Sequence, residues 1–182
     1  MATSNGKRSI KHNMPKKIAI IGPECSGKST LTQELANHFS EPFLPEYGRI
    51  YLEIFGPSYQ YEDLEKISRK MVELEAKQIK NASNYLFCDT DLIMMKVWYE
   101  YKYDKVGDYL QQALKDNPYD FYLICRPDIP WKADPLRENP HIREELFESY
   151  LSEVKKLGKP YLIIDGKNRE EQAIQHIEAN PL

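Results

Sequence analysis

The segment Gly22-Pro23-Glu24-Cys25-Ser26-Gly27-Lys28-Ser29-Thr30 constrains this chain more than any other. It fits the pattern G-x-x-x-x-G-K-[ST], and it lies between the apolar run Lys17 to Gly22 and the helically spaced Leu31, Leu35 and Phe39. Strand, glycine loop and helix in that order place backbone N–H groups and a helix N-terminus around an anion. Glycine lets the backbone close, Lys28 supplies a point charge, and the Ser29 hydroxyl suits magnesium. The segment therefore predicts binding of ATP with Mg2+ through Gly22, Cys25, Ser26, Gly27, Lys28, Ser29 and Thr30. The alternative is a fortuitous glycine turn opening an ordinary helix, and the flanking strand and helix weigh against it.

The rest of the chain repeats the alternation that begins there. Short apolar runs at Glu41 to Pro45, Tyr85 to Asp89, Tyr119 to Arg126 and Tyr161 to Gly166 have the length of buried strands. Between them, Leu64, Ile67, Met71, Leu74 and Ile79 mark one face of a long helix. Ile142, Leu146, Phe147, Tyr150, Leu151, Val154 and Leu157 mark another, behind a Pro140 suited to a helix's first turn. Such alternation predicts an α/β fold: a parallel sheet with helices on both faces, and ligands beyond the strands' carboxyl ends. The polar stretch Arg126 to Asn139, with prolines at 127, 130 and 135, is expected to be a lid over that edge.

Size and charge narrow the function classes. At 182 residues the chain suits one well-buried domain, taken as residues 16–182 behind a flexible basic leader at 1–15. The formal net charge of -3 gives no global case for nucleic acid or an acidic membrane surface. No apolar run approaches the roughly 20 residues that span a bilayer, and residues 1–13 lack a signal-peptide core. Cys25, Cys88 and Cys125 have no metal-type spacing and suit a reducing cytoplasm, with Cys88 and Cys125 as small strand residues. A small-molecule substrate is the expected partner; oligomeric state is not legible.

Candidate residues follow the strand ends. Asp89 and Asp91 flank the end of one strand, where a carboxylate can organise magnesium or accept a proton from an attacking hydroxyl; the plain alternative for Asp91 is to cap the next helix. Glu46, Tyr47 and Arg49 follow the second strand as acceptor-binding candidates, with Glu46 also a candidate base and a surface ion pair with Arg49 as the alternative. Arg137 in the lid is the preferred cation for the transferring phosphate, over Arg126 and Arg143. Trp131 is a candidate substrate platform, hinge contact or core residue. Gly166, in the turn after the last strand, is a candidate for the adenine side.

Taken together, GPECSGKST, EYGR at 46–49, DTD at 89–91 and PWKADPLR at 130–137 resemble the ribosylnicotinamide kinase domain of bacterial bifunctional NAD-biosynthesis proteins. The resemblance runs from about Lys17 to the C-terminus with the four motifs in the family's order. It implies a P-loop kinase fold and transfer of the ATP γ-phosphate to the 5′-hydroxyl of nicotinamide riboside, giving nicotinamide mononucleotide. It further implies that Lys28 and the loop amides hold phosphate, Ser29 and Asp89 organise magnesium, Glu46 or Asp89 takes the hydroxyl proton, and Arg137 stabilises transferred charge. Where the family pattern carries an aromatic residue before EYGR this chain has Pro45, so Phe43, Tyr47, Trp98 and Tyr99 are the candidates for a stacking face. Within these 182 residues no second domain of adenylyltransferase size is expected, and the chain alone is expected to stop at the mononucleotide. The competing expectations are a kinase for another nucleoside, nucleotide or small metabolite, and a regulatory ATPase switch.

Overall fold

The computed structural model describes residues 14–137 and 139–180, so residues 1–13 of the basic leader expected at 1–15 lie outside the described residues. Five strands form one sheet: β1 (Lys16–Ile21), β2 (Phe43–Leu44), β3 (Tyr85–Asp89), β4 (Phe121–Cys125) and β5 (Tyr161–Ile164). Their order is β2-β3-β1-β4-β5, and every pairing is parallel. Helices α1 (Lys28–Phe39), α2 (Tyr47–Phe55), α3 (Tyr61–Gln78), α4 (Leu92–Tyr103), α5 (Asp108–Asp116), α6 (Arg143–Leu157) and α7 (Arg169–Ala179) connect and cover them.

Strand alternation sorts the core into two layers. Ile18, Ile20, Phe87, Phe121 and Leu123 face Leu31 and Leu35 of α1 and Ala173 and Ile177 of α7. Ala19, Ile21, Leu86, Tyr122 and Ile124 face α4 and α6, where Phe147, Tyr150 and Val154 are fully buried. Both faces of the sheet are thus covered, which explains strands without polar alternation. Cys88 and Cys125 are free and buried within β3 and β4. A third apolar cluster joins α2, α3, α4 and α5 beyond the β2 edge. No helix of the described residues is long and apolar enough to cross a membrane.

Two local expectations change. β2 is two residues long, because Glu41 is not a strand residue but a buried acceptor: its carboxylate takes the Ser83 N–H at 2.8 Å and the Asn84 N–H at 2.7 Å. Pro140 sits in a turn three residues ahead of α6 rather than in its first turn. The residues after Glu46, for which periodicity indicated no element, form α2, a helix with no hydroxyl or carboxamide N-cap to announce it.

What fixes α2 is its neighbour. The N-terminus of α3 carries a capping box in which Gln60 and Asp63 exchange hydrogen bonds. The Asp63 carboxylate also accepts the Tyr51 hydroxyl of α2 at 2.8 Å and the Lys66 ammonium at 2.8 Å. These bonds, led by Lys66, hold the Asp63 carboxyl down at about 2. Its folded pKa lies below its unfolded one, so the stabilisation is complete above the ordinary carboxylate range and disappears as pH falls through that range toward 2. Asp63→Asn is expected to cost about 1 kcal/mol at pH 6, after allowance for solvent screening, and close to nothing near pH 2. Denaturant titrations of both proteins across that range test it; a pH-independent difference would contradict the assignment.

Candidate active site

The loop after β1 is shaped by two glycines. Gly22 has φ +149°, and a Cβ there would lie 2.5 Å from the Cys125 carbonyl oxygen, so the chain passes β4 at backbone contact. Gly27, at φ +81°, is the N-cap of α1 and offers no side chain to its orphan N–H groups. Cys25 also adopts a left-handed φ of 53°. Lys28 is buried, and its ammonium donates to the Pro23 carbonyl at 3.1 Å. Ser29 and Thr30 are exposed at the start of α1. An uncapped helix N-terminus with a buried lysine beside it is an anion site.

The loop opens on a cavity of about 450 Å³, the size of a small-molecule site. Cys25, Ser26, Gly27, Lys28, Ser29 and Thr30 line one side, and Glu46, Arg49, Asp89 and Arg137 line it as well. Asp89 ends β3 at 4% exposure, and burial pushes its carboxyl up to about 6; the Glu46 charge adds to the rise, while Lys28 and the Ser29 hydroxyl oppose it. Glu46 immediately precedes α2 and is half-buried.

Asp91 does not belong to this set. It is fully buried, does not line the cavity, and accepts the Met94 N–H at 3.0 Å as the N-cap of α4. A left-handed Thr90 separates it from Asp89, and the two carboxylates serve different elements. Tyr47 is also outside the lining; it packs on the α2–α5 apolar cluster. Trp131 lies on the lid beside the Arg143 guanidinium, 5.8 Å from its ring centroid, and does not line the cavity. Gly166 is absent from the lining too: its N–H donates to Asp128 at 2.7 Å. Of the aromatic candidates, Phe43 and Trp98 line the cavity, whereas Tyr99 is core.

The lid closes the circle with polar contacts. Asp134 accepts the Arg49 guanidinium at 2.8 Å through one oxygen and the Leu136 N–H at 2.9 Å through the other, while its carbonyl accepts the Arg137 N–H at 3.0 Å. This turn presents Leu136 and Arg137 to the cavity, and the ion pair holds the Asp134 carboxyl below the ordinary range. Arg49, a candidate for substrate contact, lines the cavity and also joins α2 to the lid. Arg137 donates to the Lys132 carbonyl at 2.7 Å.

Two arginines that sequence ranked low or passed over are structural fasteners. Arg143 donates to the carbonyls of Ile129 at 3.0 Å and Cys25 at 3.3 Å, tying lid to loop. Arg169, buried at 9% exposure, donates to the carbonyls of Ser26, Arg126 and Gly166 and pairs with Asp128. An arginine opening a helix after a strand-end glycine turn was the only available signal.

Asp134→Ala removes both the ion pair and the turn bond. Amide hydrogen exchange at Leu136 and Arg137 is expected to quicken about tenfold while the β1 and β3 amides keep their protection; unchanged lid exchange would show that Asp134 does not order this segment.

The chain matches the AAA domain family over residues 17–172. It is 29% identical over 152 residues to the trifunctional NAD biosynthesis/regulator protein NadR of Salmonella typhimurium, a stretch that is 81% of this chain and 37% of that protein. The chain therefore spans about a third of the length of this curated relative. Among solved structures it resembles NadR protein in complex with NR, with TM-score 0.78 at 19% identity over 91% of this chain and 50% of that one. NadR protein in complex with NAD and AMP-PNP superposes with TM-score 0.75 at 20% identity over 91% and 49%. Those identities establish a shared fold. Matched from β1 into α7, the chain belongs to the AAA domain family.

Proposed function

We propose that this chain is an ATP-dependent kinase that transfers the γ-phosphate to the 5′-hydroxyl of nicotinamide riboside, yielding nicotinamide mononucleotide. The observation that carries the reading is a single cavity lined both by the phosphate loop and by Asp89, Glu46 and Arg137. Its similarity to a NAD biosynthesis protein, and to NadR structures holding NR and a nucleotide, supports this acceptor and this donor. Three free cysteines suit a cytoplasmic setting.

The residues fit magnesium, since the Asp89 Oδ1 is buried without a partner among the described residues and the Ser29 hydroxyl stands beside it. Ser29 and Asp89 would hold the ion together with phosphate oxygens, and the ion supplies neutralisation of charge on the transferring group. Lys28 exchanges its bond to the Pro23 carbonyl for phosphate oxygens, joined by the α1 N–H groups. With Asp89 assigned to magnesium, Glu46, lining the cavity from the start of α2, takes the 5′-hydroxyl proton as that oxygen bonds to the γ-phosphorus and the bond from phosphorus to the β–γ bridging oxygen breaks, releasing ADP. Arg137 brings positive charge from the lid to the oxygens of the group in flight, and lid closure excludes the water that would compete as acceptor.

The test is magnesium-dependent ADP formation with a nucleoside panel, with the product identified by mass spectrometry. Nicotinamide riboside is expected to be converted selectively, Lys28→Ala to lose at least about a hundredfold in rate, and Glu46→Gln to lose about 10²- to 10⁴-fold in kcat with ATP binding intact. Binding of ATP with no phosphorylated acceptor would overturn the reading.

A further inference from the structure

Five buried side-chain atoms have no hydrogen-bond partner among the described residues: Ser26 Oγ, Asp89 Oδ1, Thr90 Oγ1, Asp91 Oδ2 and the Tyr150 hydroxyl. Such atoms are costly, and native structures keep few of them. Four of the five belong to residues that line the cavity. Ser26 and Asp89 lie on its phosphate side. Thr90 and Tyr150 have no part in holding ATP or magnesium, yet they are 6% and 0% exposed.

Each is held with some insistence. Thr90 has φ +80°, a left-handed backbone that a β-branched residue rarely adopts, and its N–H donates to the Ile20 carbonyl at 3.0 Å. Strain of this kind persists where the fold over-determines a position, and it gathers at ligand sites. Tyr150 comes from α6; it belongs to the core, its hydroxyl is buried without a partner, and the residue lines the cavity together with Met94 and Trp98 of α4. Burial, and the charges of Glu46 and Glu24 within electrostatic reach, keep that hydroxyl protonated. An anionic group brought to Tyr150 would meet those same carboxylates.

We propose that the Thr90 and Tyr150 hydroxyls form a polar subsite for an uncharged hydrogen-bonding group of the phosphate acceptor, either a sugar hydroxyl or a carboxamide. The proposal rests on the kinase reading. It makes the two residues determinants of acceptor choice: they favour an amide over the corresponding acid, because the acid carries negative charge toward Glu24 and Glu46.

Steady-state kinetics on the full chain decide it, using Tyr150→Phe, Thr90→Val and Thr90→Ser. The acceptors are nicotinamide riboside, its 2′-deoxy and 3′-deoxy forms, the riboside without a carboxamide, and the riboside of the corresponding acid. Tyr150→Phe and Thr90→Val are each expected to raise the acceptor KM about five- to tenfold with the ATP KM unchanged, and Thr90→Ser to retain the original value. The analogue against which the variants show no further loss identifies the contacted group, sugar hydroxyl or carboxamide. Tyr150→Phe removes an unpaired buried hydroxyl, so its Tm should equal or exceed that of the original protein. Unchanged acceptor KM in both variants, a change confined to one of them, or a loss equal across all analogues would overturn the subsite. If the original protein converts a different nucleoside, the nicotinamide riboside reading falls, and the same variants assayed on that nucleoside and its deoxy forms decide the subsite separately.

Discussion

At Gly22 the backbone leaving β1 runs against the carbonyl of Cys125, and everything at the functional edge of the sheet follows from that approach. Since α1 leads away from β1 toward β2 on one side, and the chain leaves β4 toward β5 on the other, the strand order opens a crevice between β1 and β4. The loop can turn within this crevice only because no Cβ occupies the contact. Irregular backbone at such a place exposes carbonyls that need donors. Arg169 supplies them from behind: one guanidinium serves Ser26, Arg126 and Gly166 together with the Asp128 carboxylate. The loop is thereby shaped from the sheet side, and the α1 N–H groups remain uncapped for a ligand.

The acceptor side is built by a different chain of contacts. The capping box of α3 sets Asp63, Asp63 receives Tyr51, and Tyr51 fixes α2, the helix that carries Glu46 at its start and Arg49 one turn later. Arg49 then reaches Asp134, whose turn presents Arg137. Arg143 completes the link by tying the Cys25 and Ile129 carbonyls together. The lid is in this way bonded both to the helix on the acceptor side and to the loop on the phosphate side. Its arginine reaches the cavity through partners contributed by both.

What was legible in the sequence is what periodicity and local chemistry encode. The glycine loop, the parallel sheet with helices on both faces and the lid all follow from patterns a few residues long. Pro140 was misplaced and α2 had no reading because helix ends depend on caps, and α2 is secured by a tyrosine–aspartate bond across helices rather than by its own residues. Arg49, Arg143 and Arg169 have chemistry that is plain in sequence, but each has a partner 85 to 143 residues away in the chain, and partner choice is a tertiary property. Asp91 had two local readings, and burial selected the cap. Thr90 and Tyr150 gave no signal at all: a positive φ and an unpaired buried hydroxyl exist only once the chain is folded.

The two ends of the cavity wait for ligands in opposite ways. Its cations already have acceptors: Lys28 bonds the Pro23 carbonyl, Arg137 the Lys132 carbonyl, and Arg49 the Asp134 carboxylate. For Lys28 and Arg137 those acceptors are neutral, so a phosphate oxygen replaces a cation–carbonyl bond with a stronger cation–anion one at little cost. The buried hydroxyls of Thr90 and Tyr150 have nothing to exchange, and each such orphan costs about 1–3 kcal/mol until something pairs with it. A group that satisfies them recovers that cost on binding, whereas a group of similar shape without hydrogen-bonding atoms does not. Affinity at the phosphate end is therefore a matter of charge and backbone, and is tolerant of what the phosphate is attached to. On the proposed kinase reading, discrimination falls to the end where the Thr90 and Tyr150 hydroxyls are left unpaired.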